Sequence, residues 1–249
     1  MSDDQLTRIN KYICESGFCS RKAADDYVKQ GVVFINNDVA RLGEKVRKGD
    51  TVTLNGNLVK PLEASEIKFI VLNKPVGVVC TAASHDARNV VDFVDYDERI
   101  YPVGRLDKDS QGLLFLTNKS DWVNTLLGAG NSHEKEYVVT VNKDITEVFI
   151  EGMSNGVPML GVFTKPCTVV KESSRDFRIT LTQGLNRQIR RMCKHFGYSV
   201  CKLERVRIMH IRLNGLLEGH WRELTTEELL PFSRMPSVSH PAQSRTPST

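Results

Sequence analysis

Apolar residues in this chain of 249 residues occur in short runs that alternate irregularly with helical segments. No glycine-rich phosphate-binding loop follows the first strand, and the segments do not repeat as regular βα units. The pattern therefore indicates an α+β fold rather than a doubly wound nucleotide-binding sheet. A hydrophobic content of 40% is enough to form a core without disulfide or metal cross-links.

Several classes of protein are disfavoured by simple features of the sequence. The longest apolar runs, residues 69–72 and 113–116, are far shorter than the roughly 18 residues that a membrane-spanning helix needs. The polar start of the chain, residues 1–4, does not resemble a secretory signal, so we expect a cytoplasmic protein. The six cysteines are irregularly spaced without a C-x-x-C pair, which disfavours a zinc ribbon and indicates reduced thiols.

The first 60 residues are predicted to form a compact helix–helix–strand module. Two short helices are expected within residues 6–31, ending near Gly17 and Gly31, and Ser20 is placed to cap the second. Short strands should follow, separated by turn-forming residues such as the Asn-Gly pair at 55–56. Residues 61–66 are predicted to be a linker.

The rest of the chain is predicted to be a second domain, residues 67–230, with a disordered tail. The expected strands are 69–72, 76–80, 112–117, 137–141, 177–181 and 208–213, and the expected helices lie near 121–127, 146–152 and 186–196. Residues 231–249 contain four prolines and five serines with no apolar periodicity, which is typical of a disordered segment.

Basic residues are concentrated in one part of the second domain. The net charge of +4 is mild, but residues 178–212 contain nine basic residues and a single acid, Glu204. The predicted helix after Gly184 carries four cations at i, i+3, i+4 and i+7, namely Arg187, Arg190, Arg191 and Lys194. Such like charges weaken a helix, so the face is either solvated or bound to an anion. The nearby Lys202, Arg205, Arg207 and Arg212 favour a polyanionic partner.

Two other segments contain candidate functional groups. Asp107 lies between Arg105 and Lys108 in a glycine-bounded loop before an apolar strand, a position where functional groups are common. A solvated turn with a local ion pair is the alternative. Tyr137 opens a strand in which alternation places Lys135 on the same face, although a tyrosine there is also common as packing. No G-x-S-x-G is present, so a serine triad is disfavoured.

Together these segments resemble the RsuA-type ribosomal RNA pseudouridine synthases. The resemblance rests on Gly-Arg-Leu-Asp at 104–107 with its continuation 112–118, Asn-Lys-Pro-x-Gly at 73–77, Lys-Glu-Tyr at 135–137, and the motif at 183–192. Residues 6–56 are similar to an S4 RNA-binding domain, mainly in the segments 20–24 and 31–36. The resemblance implies a small S4-like module followed by a catalytic domain on a mostly antiparallel sheet with flanking helices.

The resemblance also assigns roles to individual residues. Asp107 would be the essential carboxylate, Arg190 its ion-pair partner, and Tyr137 the ring that stacks on the target uracil. Arg105 would enter the space that the base vacates. The residues expected to contact RNA are Arg187, Arg191, Lys194, Lys11, Arg21, Lys22 and Asn36.

The implied activity is isomerisation of a specific uridine to pseudouridine in 23S ribosomal RNA after base flipping. The reaction neither adds nor removes atoms, so we expect no cofactor and no metal, and we expect a monomer. A tRNA anticodon uridine is open as a second target. The alternative is a non-catalytic S4-type RNA-binding or ribosome assembly factor in which Asp107 is structural. A glycosidase is disfavoured because no motif supplies a second carboxylate.

Overall fold

The computed structural model describes residues 6–63, 67–81, 88–119 and 133–233. The predicted helix at 121–127, the end of the predicted linker at 64–66 and the tail beyond residue 233 lie outside these ranges.

The N-terminal module has the two predicted helices followed by short strands. Its elements are β1 (Thr7–Arg8), α1 (Ile9–Glu15), α2 (Arg21–Lys29), β2 (Val33–Ile35), β3 (Asp38–Val39), β4 (Lys45–Val46), β5 (Val52–Leu54) and β6 (Asn57–Val59). Four of the strands form a sheet in the order β3-β2-β5-β6, and the other two, β1 and β4, pair with each other. The predicted cap is confirmed, because Ser20 Oγ accepts a hydrogen bond of 3.1 Å from the backbone N–H of Ala23.

The module has its own core, and the chain leaves the module beside α1. Apolar side chains of both helices, including Ile13 and Ala24, are fully buried against Val33 and Val52. The backbone N–H of Leu62 donates to Glu15 O at 3.3 Å, which fixes the exit of the chain.

The second domain is built on one large sheet. Its strands are β7 (Phe69–Lys74), β8 (Tyr101–Val103), β9 (Gln111–Thr117), β10 (Lys135–Val141), β11 (Pro158–Met159), β12 (Val162–Phe163), β13 (Thr168–Lys171), β14 (Asp176–Leu181), β15 (Val200–Ile208), β16 (Ile211–Arg212) and β17 (Trp221–Glu223). The helices are α3 (Val90–Val94), α4 (Glu147–Asn155), α5 (Gln188–His195) and α6 (Thr226–Ser233). Among the described residues, none of the helices is long and apolar enough to cross a membrane.

The main sheet has nine strands, seven of them in the order β13-β14-β10-β15-β9-β7-β17. The strands β15 and β9 run parallel through Arg205 and Gly112, whereas the other pairs described in this sheet are antiparallel. The expected α+β architecture with a mostly antiparallel sheet is therefore confirmed.

A β-bulge in β15 decides which side chains share a face. Arg205 is opposite Tyr137 of β10, but Arg207 is opposite Glu136, so Val206 is an extra residue on this strand. Arg205 and Arg207 consequently point to opposite faces of the sheet, although their spacing of two would normally place them on one face.

Helices α4 and α5 cover the sheet face on which Tyr137 lies. Phe149 of α4 and Met192 of α5 are buried with Phe177 of β14 in one core. Burial in that core raises the pKa of the Cys193 thiol to about 12, so this cysteine is a neutral core residue.

Three sequence predictions for this domain need correction. Residues 76–80 form a turn region with one isolated bridge at Val79 instead of a strand. The strand predicted at 208–213 is divided because Met209 has a φ of +54°, which reverses the chain into β16. Residues 231–233 do not belong to a disordered tail, since α6 continues to Ser233 and the buried ring of Phe232 stacks on Phe69.

Candidate active site

A cavity of about 640 Å³ opens where the strands β9, β10 and β15 meet the loop 104–110 and the start of α5. It brings together residues from four separate sequence motifs. Its charged and aromatic lining includes Arg105, Asp107, Lys135, Tyr137, Arg187, Arg190 and Arg205. The catalytic residues expected from the sequence therefore share one cavity.

The loop that carries Asp107 is held on both sides by backbone contacts. The N–H of Gly77 donates to Lys108 O at 2.8 Å, and the N–H of Leu106 donates to the Cys80 thiol at 3.3 Å. The buried Lys74 holds the neighbouring turn, because its ammonium donates to the carbonyls of residues 75 and 78. Burial lowers the pKa of Lys74. The Asn-Lys-Pro-x-Gly motif thus holds the loop in place and does not line the cavity.

The ion-pair partner of Asp107 in the structure is Arg187, not Arg190. Arg187 Nη1 lies 3.4 Å from Asp107 Oδ2, and both side chains are partly exposed. Arg190 instead lies 3.4 Å from Asp109 through its Nε. The predicted pairing with Arg190 is not found, because Arg187 lies in the turn before α5, where its side chain reaches Asp107 in the loop 104–110. The helical spacing of the arginines does not predict this turn.

Asp109 connects the two arginines and was not among the predicted site residues. It accepts hydrogen bonds from Arg187 Nη1 at 3.0 Å and Nη2 at 2.8 Å, a two-pronged contact. The hydrogen bonds from Arg187, with the charge of Arg190, hold the pKa of the Asp109 carboxyl below its usual value. The carboxylate is therefore ionised and fixes Arg187 beside Asp107.

Arg190 points inward and braces the loop. Its Nη2 donates to Asp109 O at 2.7 Å and to the fully buried Ser110 Oγ at 3.0 Å. The four cations predicted to form one exposed helix face are therefore divided. Arg190 has a side-chain exposure of 14%, whereas Arg191 and Lys194 are exposed. The apolar face with Ile189 and Met192 is buried as predicted.

Arg187 itself adopts an unusual backbone conformation. It is the N-cap of α5 with φ +50° and ψ +38°, the left-handed region that disfavours side chains with a Cβ. Helix α5 accordingly begins at Gln188, later than the predicted start at 186.

Tyr137 and Lys135 line the cavity from β10, on the shared face that alternation predicts. The Lys135 ammonium donates to His133 O at 3.0 Å. Burial, together with the charge of Arg205, lowers the pKa of Lys135. Of these residues, Lys135 could have been found from the alternation alone.

Sequence reasoning missed two further cations of the cavity, Lys165 and Arg205. Lys165 lies in a loop without a motif. Arg205 was grouped with the neighbouring cations of β15, because a single sequence does not show the bulge that turns Arg205 toward the cavity.

The residues predicted to contact RNA in the N-terminal module lie apart from the cavity lining. Arg21 and Lys22 are exposed at the start of α2, and Lys11 pairs with Glu15 at 3.3 Å. Asn36 has a structural role, because its amide donates to Asp50 at 2.7 Å and accepts from the N–H of Thr51 at 2.8 Å. These contacts tie two turns of the module together, and the predicted RNA contact of the exposed Asn36 stays a prediction.

The described residues contain no cluster of three or more histidine, cysteine or acidic side chains that could hold a metal ion.

Comparison with known proteins gives consistent matches for both parts of the chain. Residues 68–195 match the family model described as RNA pseudouridylate synthase, and residues 7–52 match the S4 domain. The dual-specificity RNA pseudouridine synthase RluF of Escherichia coli strain K12 is 57% identical over 235 residues, covering 94% of this chain and 81% of that protein.

More distant matches agree. Ribosomal large subunit pseudouridine synthase B of Bacillus subtilis strain 168 is 34% identical, covering 90% of this chain and 94% of that protein. A crystal structure of a pseudouridylate synthase aligns with a TM-score of 0.65 and 28% identity, covering 90% of this chain and 98% of that one.

Proposed function

Since this chain belongs to the RNA pseudouridylate synthase family, we propose that it isomerises a specific uridine of 23S ribosomal RNA with Asp107 as its catalytic carboxylate. The chain is an RNA pseudouridine synthase with an S4 domain, similar to RluF. The observation that carries the assignment of Asp107 is its position in the cavity, which it shares with Tyr137 and a fixed arginine.

The reaction breaks the bond between uracil N1 and ribose C1′, turns the ring and joins C5 to C1′. The protein must therefore provide an ionised carboxylate that attacks the sugar or assists proton removal. Arg187 places a guanidinium 3.4 Å from Asp107, and a guanidinium keeps its charge throughout the physiological pH range. The two-pronged bond from Arg187 to Asp109 holds that guanidinium in place.

The target base has to leave the RNA stack before it can reach Asp107. Extrusion costs a few kcal/mol, and stacking on an aromatic ring returns about 1–3 kcal/mol. Tyr137 provides such a ring at the cavity wall, and the exposed Arg105 at its rim would fill the space that the base leaves.

The rest of the binding energy should come from RNA phosphates. Arg191 and Lys194 are exposed on α5, and Arg21 and Lys22 are exposed on the N-terminal module. We therefore divide the chain into an S4-like RNA-binding domain at 1–60, a linker at 61–66 and a catalytic domain that begins at 67 and extends beyond the expected end at 230 to Ser233, the end of α6. Separate hydrophobic cores in the two parts support this division.

The RluF relatives are described as dual-specificity enzymes. We extend this to the present chain as a second target, a tRNA anticodon uridine, and we expect a monomer that acts in the cytoplasm together with its RNA.

The test of Asp107 is the variant Asp107→Asn, which keeps the size of the side chain and removes its charge. We expect unchanged RNA affinity and a loss of pseudouridine formation of at least about a thousandfold, of the order of other essential catalytic groups. Asp95→Asn is the matched control, since Asp95 is exposed with a φ of +48° that asparagine tolerates. Pseudouridine is measured by primer extension on 23S RNA after chemical labelling.

The alternative is a non-catalytic RNA-binding or assembly factor. It predicts that the wild-type protein binds RNA stoichiometrically without forming pseudouridine, and that Asp107→Asn has no effect on its function. Product formed at the wild-type rate by Asp107→Asn would refute the catalytic role of this carboxylate.

A further inference from the structure

Arg205 is the most deeply buried cation of the cavity wall. Only 4% of its surface is exposed, and it is directly opposite Tyr137 across the β10–β15 pair. The bulge at Val206 turns Arg205 toward the cavity, while Arg207 points away and pairs with Glu136 at 2.6 Å.

Two of the three guanidinium nitrogens of Arg205 have protein acceptors. Nε donates to Leu113 O at 2.7 Å, and Nη1 lies 3.4 Å from Arg105 O, so the side chain bridges both flanks of the Asp107 loop. Nη2 is buried and has no hydrogen-bond partner within the described part of the chain. The described carboxylates form no ion pair with Arg205 either.

A buried donor without an acceptor is costly, and most such groups in folded proteins are satisfied. Arginine can only donate, so the missing partner must be an acceptor oxygen or nitrogen. Because Arg205 lines the cavity, a bound molecule can supply that acceptor.

The position of Arg205 relative to Tyr137 indicates which acceptor this is. Side chains directly opposite each other on antiparallel strands are about 4.5–5.5 Å apart at Cβ. A pyrimidine stacked on the Tyr137 ring would therefore present its edge near Arg205. The polar edge of uracil carries two carbonyl oxygens, each of which accepts hydrogen bonds.

We propose that Arg205 Nη2 donates a hydrogen bond to a ring carbonyl oxygen of the flipped uridine and thereby recognises the target base. This proposal rests on the proposed function, since it assumes that a uridine occupies the cavity. It gives Arg205 two roles, one as a clamp on the Asp107 loop and one as a contact to the substrate.

The test separates these roles by replacing a ring carbonyl oxygen of the target uridine with sulfur, in addition to changing the protein. A 23S RNA fragment in which the wild-type enzyme forms pseudouridine is prepared with uridine, 2-thiouridine or 4-thiouridine at the target. Sulfur is a weaker acceptor than oxygen, so it weakens a hydrogen bond at one ring position only. Single-turnover rates of the full-length wild type, Arg205→Met and Arg205→Lys are compared on the three RNAs. The lysine variant keeps the positive charge in case the methionine variant does not fold.

Arg207→Lys is the matched control, because it changes an arginine on the same strand whose side chain faces away from the cavity. For each protein the uridine rate is divided by the thiouridine rate. Comparing these ratios between proteins cancels the intrinsic chemical effect of sulfur, which is the same for every protein.

For the wild type and Arg207→Lys we expect this ratio to exceed that of Arg205→Met by about tenfold at one of the two thio positions, as for a hydrogen bond from a charged donor. Ratios that are equal in all proteins at both positions would overturn the proposal and leave Arg205 as a loop clamp only. A wild type that forms no pseudouridine in any RNA would instead refute the proposed function, and the proposal with it.

Discussion

At the scale of single residues, the site is organised by a carboxylate that sequence reasoning did not select. Asp109 holds Arg187 with two short hydrogen bonds and contacts Arg190, while Asp107 has one longer contact to Arg187. Since the stronger pairing goes to Asp109, the neighbouring Asp107 remains accessible in the cavity. Asp109 thus orients the cation that lies beside Asp107.

This arrangement predicts the effect of Arg187→Lys. Lysine keeps the charge but cannot form the two-pronged bond, so the cation beside Asp107 is no longer fixed. We expect the single-turnover rate to fall by about tenfold or more, the size of one lost charge-assisted hydrogen bond, with RNA affinity nearly unchanged.

Arg191→Lys is the control for that experiment, because among its described contacts the Arg191 guanidinium donates only to atoms of Asn186. Arg191→Lys should keep the wild-type rate. Equal losses in both variants would mean that a general property of α5, and not the contact with Asp107, is being measured.

At the scale of elements, the parallel junction of β9 and β15 leaves no space for a side chain at Gly112. Gly112 has a φ of +108°, and a Cβ there would lie 2.3 Å from Arg205 O. Backbone atoms cannot move aside as a flexible side chain can, so glycine is required at this position.

Gly112→Ala is therefore expected to lower the free energy of unfolding by about 3 kcal/mol or more, the range of strong steric changes in a core. Gly215→Ala is the matched control, since Gly215 also has a positive φ, +80°, but nothing lies within 4 Å of its Cβ position. The control should lose about 1 kcal/mol from backbone strain alone. Urea unfolding of both variants measures the difference, and similar losses would contradict the steric explanation.

On the sheet face opposite the cavity, Glu136 joins neighbouring strands. It is 7% exposed and pairs with Arg178 at 2.7 Å and with Arg207 at 2.6 Å. Hydrogen bonds from these two arginines outweigh burial and lower the pKa of the Glu136 carboxyl below its ordinary 4.5.

Glu136→Gln should accordingly destabilise the fold by about 2 kcal/mol at pH 7, because Arg178, Arg207 and Arg212 each lose one carboxylate partner. The folded pKa is below that of the unfolded chain, so the ion pairs stabilise the fold above about pH 4.5 and lose this effect as the pH falls through the folded value. Urea unfolding of wild type and variant at pH 7 and at lower pH should show a difference that shrinks on acidification. A difference independent of pH would contradict the ionic origin.

Much of the element level could be predicted from the sequence because local signals coincide with the tertiary structure. Ser20 predicted the start of α2, and the continuous apolar run from Phe69 predicted a buried strand, which β7 is. The site motifs likewise predicted that Asp107 and Tyr137 share one cavity.

The failures have local physical causes that a single sequence does not show. The bulge at Val206 separates Arg205 from Arg207, and the left-handed backbone of Arg187 redirects that side chain toward Asp107. Both are backbone irregularities imposed by tertiary packing. Pairings between side chains therefore could not be predicted, whereas the set of residues around the cavity could.

At the scale of the whole molecule, the two parts have separate cores, and we expect the N-terminal module to capture RNA and the second domain to carry out the reaction. The N-terminal module approaches the second domain where the Tyr101 hydroxyl lies 3.5 Å from Cys19 O, and the chain passes between them beside α1. The residues that line the cavity all belong to the second domain. Changes to the module should therefore affect RNA capture more than chemistry.

The double variant Arg21→Glu/Lys22→Glu tests this division without removing any core residue. We expect weaker RNA binding, a raised KM and a kcat within about twofold of wild type, since phosphate contacts provide affinity without sequence reading. If about six phosphates are neutralised, wild-type affinity should also fall by about a thousandfold between 50 and 200 mM salt, with a shallower slope in the variant.

Lys29→Glu is the control, because Lys29 is exposed at the far end of α2 and already lies 3.5 Å from Asp26. Unchanged affinity of the double variant, or an equal loss in Lys29→Glu, would contradict the proposed role of the module.

The left-handed backbone at Arg187 has a consequence for attempts to engineer this enzyme. A side chain with a Cβ costs about 1 kcal/mol or more in that conformation, and glycine or asparagine would relieve it. Replacing Arg187 by glycine should therefore relieve the backbone strain but remove the contacts with Asp107 and Asp109, so we expect selection for turnover to retain the arginine. Engineering for thermostability should therefore keep Arg187 unchanged.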